Sequence, residues 1–138
     1  MYSYTRFSKV KMEDFFKLYQ YRILENSSVC PENEICRIWQ GPLTKNKKYG
    51  LISYKDPSDM KWKKKHAHRL SYIVFTKNLE IISDFDCSHL CHNSLCVNVN
   101  HLSMEPHFIN NNRQHCLNSN LCYGHVGFGN CLLDLKIF

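Results

Sequence analysis

Eight cysteines and eight histidines stand in 138 residues, and most of them interleave between residues 87 and 131. No other feature limits the fold as tightly. Cys91-x4-Cys96-x4-His101 offers three ligands from one loop, and Cys116-x5-Cys122-x2-His125-x5-Cys131 offers four. Zinc takes thiolates and imidazoles at the corners of a tetrahedron, and a structural site closes all four positions. The second stretch is therefore complete in itself, while the first needs a ligand from elsewhere. Cys36, on a short strand pattern, is the choice for that place; Cys30, in the polar link before it, is the competitor. Free buried thiols would pack as small hydrophobes, which leaves the interleaved histidines without a reason. Disulfides are the other rival, because the cysteine count is even. Residues 1–6 lead into no apolar segment of the signal-peptide kind, so the expected location is intracellular and not secreted. In a reducing compartment such clusters read as metal sites, here two structural Zn²⁺ ions.

The length suits a single domain over residues 1–138, with a modest core helped by metal staples. No apolar run approaches the length of a bilayer span, so no membrane partner is expected. Lys and Arg number 18 against 12 Asp and Glu, a formal charge of +6. Each zinc with three thiolates and one neutral imidazole carries one net negative charge, which brings the total toward +4. That is a mild bias toward polyanions.

Taken in order, residues 8–25 read as an amphipathic helix capped by Ser8, with Phe15, Leu18, Tyr19, Ile23 and Leu24 apolar. It anchors an N-terminal segment over 1–30. A turn-rich link leads to a strand pattern at 35–39, and Gly41-Pro42 breaks it before a second strand at 49–54. Lys61 to Arg69 is the densest positive run, with Trp62 inside it. Residues 66–75 follow as a short helix ended by Lys77-Asn78, in which His68 reads as a packed histidine. An extended segment over 81–89 precedes the metal loop, and a strand at 101–104 follows it. Glu105-Pro106 then opens a helix, with proline tolerated at its first position. That helix carries Asn110, Asn111 and Asn112; three poor helix formers in a row point to a role beyond folding.

These residues resemble a known family. His89-Leu90-Cys91-His92-Asn93-x2-Cys96-x4-His101-Leu102, then Glu105, Asn110, Arg113 and Cys116, is similar to the His-Cys box homing endonucleases, of the wider His-Me finger (ββα-metal) nucleases. Cys36-x-Ile38-Trp39-x-Gly41, Tyr49-Gly50 and residues 67–72 also resemble HNH-type homing endonucleases, and the similarity covers roughly residues 35–131. It implies an α+β fold: a small zinc-stapled ββα-metal domain with short antiparallel strands and flanking helices. It implies a β-rich DNA-contacting region over 35–80, an active site over 86–115 and a second zinc loop over 116–131.

The resemblance also implies roles. His89 matches the general base that takes a proton from the attacking water. Asn110 matches the ligand of a single catalytic Mg²⁺, with Asn111 and Asn112 next to it in register. Cys36, Cys91, Cys96 and His101 match the first structural zinc, and Cys116, Cys122, His125 and Cys131 the second. Asn98 resembles an asparagine that braces the loop, although Val99 stands where HNH relatives usually have proline. A cation near the scissile phosphate is implied too, and Arg37, Lys55, Lys61 and Lys63 are the candidates. Lys61, Lys63, Lys64, Lys65, Arg69 and Arg113 are the expected DNA contacts. The implied activity is hydrolysis of double-stranded DNA to 5′-phosphate and 3′-hydroxyl ends, in the nucleus or wherever the target lies. Homodimers on near-palindromic sites are frequent in the family, and the apolar tail at 132–138 can pack on a partner or on its own domain. The alternatives are a non-catalytic zinc-stabilised module that binds nucleic acid, and a protein-interaction module.

Overall fold

The computed structural model describes residues 9–79 and 84–137. Ser8 and residues 81–83, to which a cap and an extended segment were assigned, lie outside the described residues. Helix α1 (Lys9–Glu25) leads to strands β1 (Ser27–Val29) and β2 (Arg37–Trp39). Strands β3 (Leu51–Lys55) and β4 (Trp62–His66) come next, then helix α2 (Ala67–Thr76). Strands β5 (Phe85–His89) and β6 (Leu102–Pro106) close the order with helix α3 (His107–Ser119). The strands form three antiparallel pairs, β1–β2, β3–β4 and β5–β6. The fold is small, α+β and stapled at two Cys/His clusters.

Helix α1 buries Met12, Phe15, Phe16, Tyr19 and Ile23, spaced three or four residues apart so that they form one stripe. Each such side chain contributes about 1.5–3 kcal/mol by leaving water. Leu18 and Leu24, expected on that stripe, point outward at 44% and 43% exposure, because the helical turn rotates them off it. The stripe packs on α2 through Leu70, Ile73 and Val74, and on Trp39, Ile52, Tyr54 and Val97. Trp39 explains two glycines. A Cβ on Gly41 would come within 2.6 Å of its ring, and one on Gly50 within 2.5 Å. The indole fits only because both residues lack side chains.

Two expectations need correction. Residues 62–66, read only as a positive run within the β-rich region, form β4 and pair with β3 in the register Leu51↔His66 to Lys55↔Trp62. Three lysines in five residues hid the strand, since such residues are poor in β propensity and pairing decided the outcome. Pro106 ends β6 and precedes α3 instead of opening it. Both α2 and α3 end on a left-handed residue, Lys77 (φ 56°) and Asn120 (φ 56°), each donating back to the last turn.

Candidate active site

The loop after β5 is held against β2. Trp39 N–H donates to Leu95 O, Val97 N–H to Arg37 O, and Asn98 Nδ2 to Ile35 O at 3.1 Å. Asn98 Oδ1 accepts from Asn100 N–H and caps the short turn Val99–His101, so this asparagine braces the loop although Val99 follows it. The pairing carries Cys36 to Cys91, Cys96 and His101, which are all buried. His101 Nδ1 stands 3.5 Å from the sulfurs of both Cys36 and Cys96. For metal bonds of about 2.3 Å to sulfur and 2.0–2.1 Å to nitrogen, a tetrahedron has an S···N edge of about 3.6 Å. The nitrogen and these two sulfurs stand at zinc spacing, and Cys91 Sγ lies within 4.8 Å of the other three ligand atoms. Asn93 Nδ2 donates to Cys36 Sγ at 3.2 Å, as expected beside a thiolate ligand. Cys30, the competitor, is buried nearby and donates to Glu32 Oε2 at 3.0 Å instead.

The second cluster is local. Cys116 on α3 meets Cys122, His125 and Cys131 from the loop that follows, with Nε2 of His125 3.5–3.6 Å from the three sulfurs. The same tetrahedral edge fits, through the other ring nitrogen. Cys122 and His125 are half-buried, while Cys116 and Cys131 are buried. After Cys131 the tail folds back on its own chain. Leu132, Leu135 and Ile137 pack against the first cluster, and Asn93 Nδ2 donates to Leu135 O at 2.7 Å.

Between the clusters lies a polar cleft of about 490 Å³ whose walls include Lys48, Tyr49, His89, His92, Asn110 and Lys136. Alternation along β5 sends Cys87 and His89 to one face of the hairpin, and Asp86 and Ser88 to the other, toward α3. His89 packs on the His68 ring at 4.3 Å and stacks near Tyr49. Burial pushes its imidazole down to about 4, against a hydrogen bond and the charge at Cys96 that pull the other way. Its Nε2 is enclosed and has no partner among the described residues. A buried ring nitrogen without a partner is unusual and costly. His68 is buried, and burial with the neighbouring His89 pushes it down to about 2.

Asn110 is clamped at both ends. Its Oδ1 accepts from Ser88 Oγ at 2.7 Å, and its Nδ2 donates to Asp86 Oδ2 at 3.0 Å. One lone pair of the amide oxygen is left. Mg²⁺ prefers hard oxygen ligands and keeps most of its sites for water and phosphate, so one such atom in a polar cleft fits it.

One family comparison bears on this geometry. A family model described as the zinc-binding loop region of homing endonuclease matches residues 35–132, well over half of the chain. The chain belongs to this homing-endonuclease family. Comparisons with curated proteins and with solved structures return no match. Membership carries a nuclease or nucleic-acid-binding role, with DNA as substrate or partner. Among the described residues no helix is long and apolar enough to cross a membrane.

The cations of this family member sort by exposure. Lys61 and Lys64 are exposed. Lys63 pairs with Asp56 at 2.7 Å and Asp59 at 3.1 Å, Lys65 lies half-buried over the Tyr54 ring, and Arg69 donates to Phe85 O. Arg113, expected to contact DNA, is 1% exposed. It donates to both Glu105 oxygens at 2.7 and 2.9 Å, to Gly129 O and to Cys131 Sγ. Helix α3 turns it inward, so it is a structural tie and not a phosphate contact. Arg37 is engaged with Ser27 and the Leu24 carbonyl. None of the four cations proposed near the phosphate lines the cleft, whereas Lys48 and Lys136 do.

Sequence reasoning also passed over His92. It takes a left-handed backbone (φ 58°), its Nε2 is buried with no partner among the described residues, and it faces the same cleft. The signal was there in His89-x2-His92, but a histidine between metal ligands reads first as a spare ligand.

Proposed function

We propose that this chain is a Mg²⁺-dependent endonuclease that hydrolyses double-stranded DNA to 5′-phosphate and 3′-hydroxyl ends, at specific sites. The observation that carries the reading is the cleft itself. It brings together an imidazole whose buried Nε2 has no partner among the described residues and an amide held at both ends by its neighbours. His89 Nε2 takes the proton of the attacking water, a task that suits a neutral imidazole. Asn110 Oδ1 holds the cation, which when bound neutralises phosphate charge and assists the departing 3′ oxygen. Lys48, exposed beside the cleft, supplies positive charge to the phosphate as a point charge. Lys61 and Lys64 add non-specific attraction to the backbone. The two zincs hold the loop and helix that bring these groups together. Residues 1–138 act as one domain, and the family's homodimers on near-palindromic sites make a second copy a candidate partner.

The deciding experiment is cleavage of a randomised duplex library with Mg²⁺, comparing wild type with His89→Ala and sequencing the ends. Cutting by wild type alone at a recurring site supports the reading. Failure of wild type to cut while it binds DNA and holds both zincs would replace it with a non-catalytic zinc-stabilised binding module. Loss of the cutting in His89→Ala should amount to about 10²–10⁴-fold.

A further inference from the structure

The face of the β5–β6 hairpin that meets α3 carries four polar side chains: Asp86 and Ser88 on one strand, Glu105 and Ser103 opposite. Buried hydroxyls and carboxylates are stable only when each proton finds an acceptor. Ser88 is 2% exposed and has two acceptors in reach, Asn110 Oδ1 at 2.7 Å and the Glu105 carboxylate. A serine hydroxyl has one proton. It goes to the amide oxygen or to the carboxylate, not to both.

The charge on Glu105 decides between them. A carboxylate with nothing else bonded to it is the stronger acceptor and would draw the proton away from the amide. Here three of the carboxylate's roughly four acceptor sites are already taken, which weakens it as a rival. Arg113 donates to both of its oxygens, and Ser103 donates as well. Arg113 in turn is fixed from behind by the second zinc loop, through Gly129 O at 2.8 Å and Cys131 Sγ at 3.4 Å.

We propose that Arg113 is a positioning residue, whose grip on Glu105 leaves the Ser88 proton on Asn110 Oδ1 and so couples the second zinc cluster to the orientation of that amide. The path runs Cys131, Arg113, Glu105, Ser88, Asn110; Cys131–Arg113, Arg113–Glu105 and Ser88–Asn110 are hydrogen bonds, and Glu105 meets Ser88 as the rival acceptor on the same hairpin face. Asp86 fixes the far end by accepting from Asn110 Nδ2. Losing the second zinc loosens Arg113, frees Glu105 to attract Ser88, and releases the amide to rotate. The consequence for cation binding rests on the nuclease reading above; the hydrogen-bond path does not.

The test follows the Asn110 side-chain NH₂ in the ¹⁵N spectrum of the full chain, identified by its loss in Asn110→Asp. Ser88→Ala defines how that signal moves when the clamp is broken. Chelation of the second zinc from wild type, and Arg113→Lys, should move it in the same direction and speed its proton exchange several-fold. Chelation keeps the native side chains, so a poorly folding Arg113→Lys does not block the result. A signal that stays in place on loss of the second zinc, while only residues 116–131 respond, would overturn the proposal. Mn²⁺ binding to the DNA complex of His89→Ala is the second readout. Its affinity should fall about tenfold or more in Ser88→Ala, the usual cost of losing a partner behind a metal ligand. Absence of Mn²⁺ binding even with Ser88 present counts against the cation reading alone, because the amide signal still decides the coupling.

Discussion

The two zinc clusters have the same ligands and opposite places in the molecule. The first draws Cys36 to a loop more than fifty residues further on, and its three cysteines have no exposed surface. It lies among Ile38, Leu132, Leu135 and Ile137, so the metal stands where a core would be. The second takes all its ligands from residues 116–131, with Cys122 and His125 half-exposed and Val126 beside them at 97% exposure. A metal that closes a long loop inside a core replaces hydrophobic burial that a small chain cannot supply. A metal that ties a short loop at the edge holds only that loop and what leans on it. Here what leans on it is Arg113, and through Arg113 the hairpin.

If that contrast holds, the largest effect belongs to the first site. Cys96→Ser should cost on the order of 5 kcal/mol or more and leave no cooperative unfolding transition, read by near-ultraviolet circular dichroism and zinc content. A folded Cys96→Ser protein with one zinc would break the contrast outright. Cys122→Ser should instead keep the fold, lose one of the two zincs, and melt about 5–10 °C lower. Melting comparable to that of Cys96→Ser would mean that the second site is core after all.

Acid sharpens the comparison at the point where the second site leans on the hairpin. Burial opposes the charge on Glu105, but Arg113, Ser88 and Ser103 hold its carboxyl below the usual 4.5. The unfolded chain therefore takes up this proton first as the pH falls. Stability from the pair is complete above about pH 5 and drains away below 4.5, toward the lower folded value. Urea midpoints across pH 3–7 check it, and Glu105→Gln, less stable at every pH, should show a shallower acid slope. The smallest effect is expected at the rim. Val126→Ser should shift stability by no more than about 0.5 kcal/mol, since its side chain touches almost nothing. A larger loss in thermal melts would mean that the exposed loop has a partner.

Much of the site could be read from residue identity, for a physical reason. Metal ligands are few in kind, and their spacing in a loop is set by the metal's size, so the two clusters show in the sequence as spacing. The roles proposed for His89 and Asn110 rest on a motif of the same local sort. The errors had a different origin. Arg113 was expected on DNA from the resemblance, and only the approach of Glu105 and Cys131 made a buried site for it. Trp62–His66 was read as a charged surface run, yet its pairing with Leu51–Lys55 turned Lys61 and Lys64 outward while Lys63 and Lys65 found partners. Leu18 and Leu24 were placed on the apolar stripe by approximate helical spacing, and the packed helix turns them out.

By itself the sequence determined the zinc chemistry and the ββα order, because each depends on residue type over short spans. Tertiary structure decided which fourth cysteine completes the first site, where the tail lies, and which cations reach the surface. It alone revealed that the Ser88 proton has two acceptors, since that follows from strands and a helix meeting at distances no spacing encodes.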